Sequence, residues 1–162
     1  MNIVFDIINF QLSNIFFLDP KQNIIMDGTF TKIIYSNEFV TLNGIYFYLP
    51  IDIQTIERIN NRNIIKFYPS SPVNNLFVQE LSKIEYRIIE YYKQMNQITK
   101  KTSCLLTKQL YSGNLKIYKD YNDYGTKQFR DKTPQYIVKI SGIWETNEEI
   151  GATYKIIECY GF

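Results

Sequence analysis

Lysines and tyrosines alternate through the segment between Lys100 and Lys139, and that pattern is the first candidate for chemistry in this chain. Lys100, Lys101, Lys108, Lys116, Lys119 and Lys139 supply cations, and Tyr111, Tyr118 and Tyr121 supply flat aromatic faces among them. Proteins that hold single-stranded nucleic acid use this combination: cations track the phosphates, and bases stack on exposed rings for ~1–3 kcal/mol each. In "IYKDYNDYG" the tyrosines sit among charges and turn residues, where a core is hard to build. These nine residues form the candidate nucleic-acid-binding set.

Other chemistries lack their residues. The chain contains no histidine, which removes the usual base near neutral pH, imidazole metal ligation and any Ser-His or Cys-His arrangement. Cys104 and Cys159 have no metal spacing and read as free thiols. The seven glycines are scattered and form no phosphate-cradling loop. Glu145, Glu148 and Glu149 cluster, but in a turn, where solvated acids belong. The expectation is a non-enzymatic protein without metal or cofactor.

Charge supports a polyanionic partner. The net charge is +2, yet residues 93–132 hold nine basic side chains against three acidic ones, Asp120, Asp123 and Asp131. Local asymmetry of this kind matters more to nucleic acid than the total does. The N-terminal "MNIVFDIINFQLSNIFFLDP" is apolar but lacks a basic start and contains Asp6 and Gln11, unlike a signal peptide. No apolar run approaches the ~20 residues of a membrane span. A cytoplasmic or nuclear protein is expected, neither secreted nor membrane-bound.

The elements that must position these residues are mostly strands. "GTFTKIIYS" alternates, and "EFVTLNGIYFYLPIDI" has the aromatic and β-branched content of strands. Asn43-Gly44 fits a tight hairpin turn or a glycine bulge within one bent strand, and the bulge is preferred. "NIIKFYP" is a third strand, stopped by Pro69. Ser71-Pro72 then opens a helix of about six turns, 72–96, with serine as N-cap and proline at the first position. Phe77, Leu81, Ile84, Ile88, Tyr92 and Met95 form its apolar stripe. "SCLLTKQLY" and "NLKIYKDY" read as a strand pair around Ser112-Gly113-Asn114, followed by a closing hairpin, "YIVKISGIWETNEEIGATYKIIECY". Strict alternation places Trp144 with Tyr136, Val138 and Ile140, and Lys139 on the opposite face with Ser141.

Three strands, one long helix, then further strands give a mainly β fold. The expected architecture is a single OB-fold-like domain over residues 1–162, an antiparallel barrel with the 72–96 helix between its third and fourth strands. "FTKIIYSNEFVTLNGIYFYLPI" and "YIVKISGIWETNEEIGATYKIIE" together resemble the single-stranded-DNA-binding proteins of large eukaryotic DNA viruses and cytoplasmic linear DNA plasmids. The resemblance implies viral or plasmid origin, a coating role on displaced single strands during replication, and single-stranded DNA as partner, with RNA as the alternative. It also leaves room for self-association or replication-protein partners. A competing expectation is a structural subunit that meets a protein partner through an aromatic surface.

Overall fold

A computed structural model describes residues 4–25, 27–118 and 133–160. Lys119 and Tyr121 of the candidate set lie outside the described residues. After two 3-10 turns the chain forms β1 (Ile15–Phe17), β2 (Lys21–Gln22), β3 (Thr29–Ser36), β4 (Thr41–Leu42), β5 (Ile45–Tyr48), β6 (Ile53–Ile59) and β7 (Arg62–Phe67). Helix α1 (Pro72–Asn96), β8 (Lys101–Ser103), α2 (Leu105–Ser112), β9 (Asn114–Tyr118), β10 (Gln135–Glu145) and β11 (Glu149–Cys159) follow.

The eleven strands make one sheet, with seven along the path β1-β3-β10-β11-β9-β7-β6 and β2, β4, β5 and β8 paired beside it. One side of β10 is shared: residues 142–145 pair with β3 and residues 137–140 with β5. The outer side of β11 is shared in the same way between β8 and β9, both parallel to it. The expected closed antiparallel barrel is corrected here. β1 and β6 end the path without pairing to each other, and the two parallel pairs make the sheet mixed. Parallel pairing follows from the connection: β8 and β9 flank α2 and run the same way along one strand, as a crossover helix requires.

Helix α1 spans the expected residues. Ser71 caps it, its hydroxyl accepting from the Asn74 amide at 3.2 Å, and Gln97 closes it in the left-handed region at φ 54°. Leu81, Ile84, Ile88 and Tyr92 join Val138, Ile140 and Ile156 of the sheet and Leu106 and Leu110 of α2 in one buried cluster. The buried stripe stops at Tyr92, and Met95 is 59% exposed. Tyr92 meets its polar requirement through a buried hydrogen bond of 2.9 Å with Thr31.

Two local readings are revised by tertiary context. "LLTKQLYS" is helix α2, with Ser112-Gly113 as its end and Gly113 left-handed at φ 73°, so the expected strand there is corrected. Its N-cap residue, Cys104, makes no side-chain cap. The first amides are instead taken by Glu85 of α1, whose carboxylate accepts from Leu106 N at 3.0 Å and Thr107 N at 2.7 Å. The Asn43-Gly44 stretch is a bend, with Gly44 at φ 112°: β4 pairs with β3, and β5 leaves for β10. Asn60 and Asn61 lie at φ 50° and 61° and join β6 to β7 in a tight hairpin, the conformation asparagine tolerates best among residues with a side chain.

The closing hairpin, β10 with β11, holds the sheet together. Its register slips by one residue between Ile140 and Gly142, where Ser141 is extra. A bulge of one residue moves every later side chain to the other face. Trp144 therefore does not share a face with Val138 and Ile140. It lies opposite Gly151 and beside Phe30, on the side away from the helices.

Candidate nucleic-acid interface

One face of the sheet packs against α1 and α2; the other carries no helix among the described residues. Strand alternation decides which side chains reach it. Val138, Ile140 and Ile156 point into the core, so Ile137, Lys139, Lys155 and Ile157 point away. Lys139 pairs with Lys155 across the β10–β11 ladder and with Tyr46 across the β10–β5 ladder. On β9 the sequence alternates exposed and buried, with Leu115 and Ile117 inward and Lys116 and Tyr118 outward. Lys116 comes one residue before the Ile117–Ile156 pair, as Lys155 does on β11. A row across four adjacent strands results: Tyr46, Lys139, Lys155, Lys116. The neighbouring row is Tyr48, Ile137, Ile157 and Tyr118.

The amines rest on the rings. Lys139 Nζ lies 5.1 Å from the Tyr46 ring centre, and Lys155 Nζ lies 4.9 Å from that of Tyr118. Contacts of this kind contribute ~0.5–1 kcal/mol at exposed sites. Among the described residues no carboxylate is ion-paired with Lys116, Lys139 or Lys155. Like charges directly opposite each other in a ladder are destabilising, so the Lys139–Lys155 pair is an arrangement that folding alone does not favour. A bound anion would relieve it. Lys32, exposed on β3 opposite Gly142, extends the same face.

The other candidate residues fall elsewhere. Lys100 is tied to the turn of the closing hairpin: its amine donates to Glu145 at 2.6 Å and to the Thr146 carbonyl at 2.7 Å. Lys101 lies 3.9 Å from Glu149. The acidic turn thus holds the start of β8. Lys108 and Tyr111 are exposed on α2, in the helix layer and not on the lysine face. Of the nine candidates, the structure brings Lys116, Tyr118 and Lys139 together. It adds Lys155, Tyr46 and Tyr48, which the reading by segment passed over. Their signal was present in the alternation of "YKII" and "IYFY", but using it requires the strand register.

The aromatic residues of this face serve two purposes. Tyr118 is 54% exposed and open to a partner. Trp144 is only 9% exposed, because its ring lies against Gly151; a Cβ added there would stand 2.5 Å from the indole. Phe30 covers Gly142 in the same manner, with its Cζ 2.5 Å from the position of an added Cβ. Rings laid on glycines in neighbouring strands pack the sheet surface, so Trp144 is structural.

Burial favours the neutral form of two ionisable side chains. Burial, with Glu158 second, pushes the Tyr136 phenol up to about 12, and burial pushes the Cys104 thiol up to about 11. Both cysteines are free. Among the described residues no helix is long and apolar enough to cross a membrane. No protein-family model, curated protein or solved structure matches this chain.

Proposed function

We propose that the protein binds single-stranded nucleic acid, DNA foremost, through the helix-free face of its sheet. The observation that carries this reading is the row Lys139, Lys155 and Lys116, which has no ion-paired carboxylate among the described residues and is flanked by Tyr46 and Tyr118. Adjacent strands lie ~4.8 Å apart, so the three amines span roughly 10 Å across the sheet. That is about three phosphate-to-phosphate steps at the ~3.4 Å axial spacing of one strand of a duplex. Phosphates would follow the lysines while bases stack on the exposed ring of Tyr118, and Tyr46 and Lys139 would grip a neighbouring nucleotide. Contacts to phosphate and to ring faces read no sequence, so the binding is sequence-independent along this row. The resemblance of the "FTKIIYS" and "YIVKISGIW" blocks to viral and plasmid single-stranded-DNA-binding proteins supports a coating role in replication. No group in the row calls for catalysis.

The test is fluorescence-anisotropy titration with a labelled oligo-dT and a duplex of equal length, at low and moderate salt. Binding to the single strand that exceeds duplex binding and weakens with salt is the expected result. Absence of binding at low salt would end this reading. The rival, an interaction subunit that meets a protein, is favoured by one observation: edge strand β1 leaves Phe16 55% exposed. An apolar protein contact at that edge would persist at salt concentrations that release nucleic acid.

A further inference from the structure

The two strands that end the sheet path are unequal. β1 is three residues long, whereas β6 runs for seven, Ile53–Ile59, and pairs only with β7 among the described residues. Long open edges are usually blunted by charge, proline or a bulge. Here the register irregularity falls between Ile53 and Thr55, and Gln54 within it donates to the Tyr68 hydroxyl at 2.8 Å, so residues 55–59 stay regular. Ile56 and Ile59 are 48% and 46% exposed, and Ile56 is not part of the buried cluster. The ladder also decides which backbone groups are free. In a two-residue turn the flanking residues, here Ile59 and Arg62, form a hydrogen-bonded pair, and alternation makes Glu57–Ile64 the next one. Ile56 and Arg58 therefore turn their N–H and C=O groups to the open edge, where a further strand would match them.

We infer that β6 pairs antiparallel with β6 of a second copy of this chain, in a register centred on Ile56. Two identical antiparallel edges are related by a twofold axis normal to the sheet. Each residue then keeps its face, so only registers centred on a residue are allowed. Charge chooses among them. Centring on Glu57 or Arg58 sets that side chain against its own copy, and like charges directly opposite are destabilising. Centring on Thr55 draws the irregular Gln54 position into the ladder, opposite Ile56. Centring on Ile56 sets Ile56 against Ile56 of the second copy and Thr55 against its Glu57, with no like charges opposed. Glu57 keeps its ion pair with Lys66 at 3.0 Å. The open N–H and C=O groups of the two Ile56 residues then meet across the axis as a hydrogen-bonded pair. The same axis sets α1 and α2 of both copies on one side of the joined sheet and both lysine rows on the other. This inference stands apart from the nucleic-acid reading, since it uses neither the lysine row nor its ligand. One strand pair is a small contact, so the dimer is weak and concentration-dependent.

Sedimentation equilibrium of the full chain at concentrations up to about 500 µM, the range of weak contacts, is the first measurement. The weight-average mass is expected to rise from 19.3 kDa toward twice that value in wild type, and to stay at the monomer value in Ile56→Lys. That variant puts two cations on the twofold axis and leaves the buried cluster untouched. A constant monomer mass in wild type, or a dimer that Ile56→Lys leaves intact, overturns the inference. Mild oxidation of single-cysteine variants, built on Cys104→Ser with Cys159→Ser, tests the register separately. Ile56→Cys should give a linked dimer, because a hydrogen-bonded pair holds its Cα atoms ~5.5 Å apart, within the reach of a disulfide. Arg58→Cys should not, because its two copies lie four residues out of step, ~13 Å along the strand. Failure of Ile56→Cys to link, or linking as fast at Arg58→Cys, overturns the register and with it the inference.

Discussion

Replacing Glu85 by alanine tests how this fold stabilises a helix that has no cap of its own. Glu85 is 0% exposed in the middle of α1, and its carboxylate accepts Leu106 N, Thr107 N and the Thr107 hydroxyl, at 3.0, 2.7 and 2.6 Å. Glu85→Ala orphans two backbone amides, each costing ~1–3 kcal/mol when buried. It also removes a buried ion, which returns part of that cost. A net loss of about 2–4 kcal/mol follows, and at ~2–4 °C per kcal/mol for a chain of this size the midpoint should fall by roughly 5–15 °C. Burial is the largest influence on Glu85 and raises its pKa above 4.5, against the lowering by its hydrogen bonds to Thr107 and Leu106. The folded state then holds the proton more firmly than the unfolded chain. Glu85 therefore contributes most below its unfolded pKa, and that contribution declines as pH rises through the folded value. Glu85→Gln does not titrate, so the wild-type advantage over it should be largest in acid and shrink as pH rises. Glu90 runs the other way: hydrogen bonds from Thr102, and Lys93 beside it, lower its pKa, but it is common to both proteins and cancels in the difference. Calorimetry from pH 3.5 to 7.5 measures all of this, with amide exchange at Leu106 and Thr107 as the local readout. A midpoint within about 2 °C of wild type for Glu85→Ala, with unchanged protection of those amides, would refute the capping argument.

Three further outcomes are expected. Gly151→Ala places a Cβ 2.5 Å from the Trp144 ring and 2.6 Å from the Ser103 carbonyl; it should cost ~1–3 kcal/mol as overpacking and shift the emission of the single tryptophan. Tyr46→Ala with Tyr118→Ala should weaken oligo-dT binding by more than about tenfold, at ~1–3 kcal/mol per stacked base, while circular dichroism stays unchanged. Lys155→Thr should keep or raise the thermal midpoint in low salt, because it ends the like-charge pairing with Lys139, and should weaken oligo-dT binding in the same buffer.

The parts of the fold that were legible in the sequence are those stabilised locally. Helix α1 declares itself through Ser71-Pro72 and a three- and four-residue apolar step, and the closing hairpin through alternation around an acidic turn. Helix α2 did not, because its cap comes from Glu85, distant in sequence, and "SCLLTKQLY" has no Ser, Thr, Asp or Asn cap that bonds at its start. The face of Trp144 was hidden by the bulge at Ser141, a one-residue slip that leaves no mark in residue type. The openness of the sheet was equally hidden, since it depends on which strands share β10 and β11. For the site, residue type pointed to Lys116, Tyr118 and Lys139, but register was needed to add Lys155 and Tyr46 and to assign Lys100 to Glu145.

The central claim is that Lys116, Lys139 and Lys155 on the outer face of the sheet hold phosphates, and the salt dependence of binding tests it most directly. Oligo-dT affinity is measured across a salt series for wild type and for the triple variant Lys116→Gln, Lys139→Gln, Lys155→Gln. Each phosphate contact on a single strand contributes about 0.7 to the slope of log affinity against log salt, so the variant should lose about 2 from that slope. A triple variant with the wild-type slope would place the phosphates elsewhere and contradict the account.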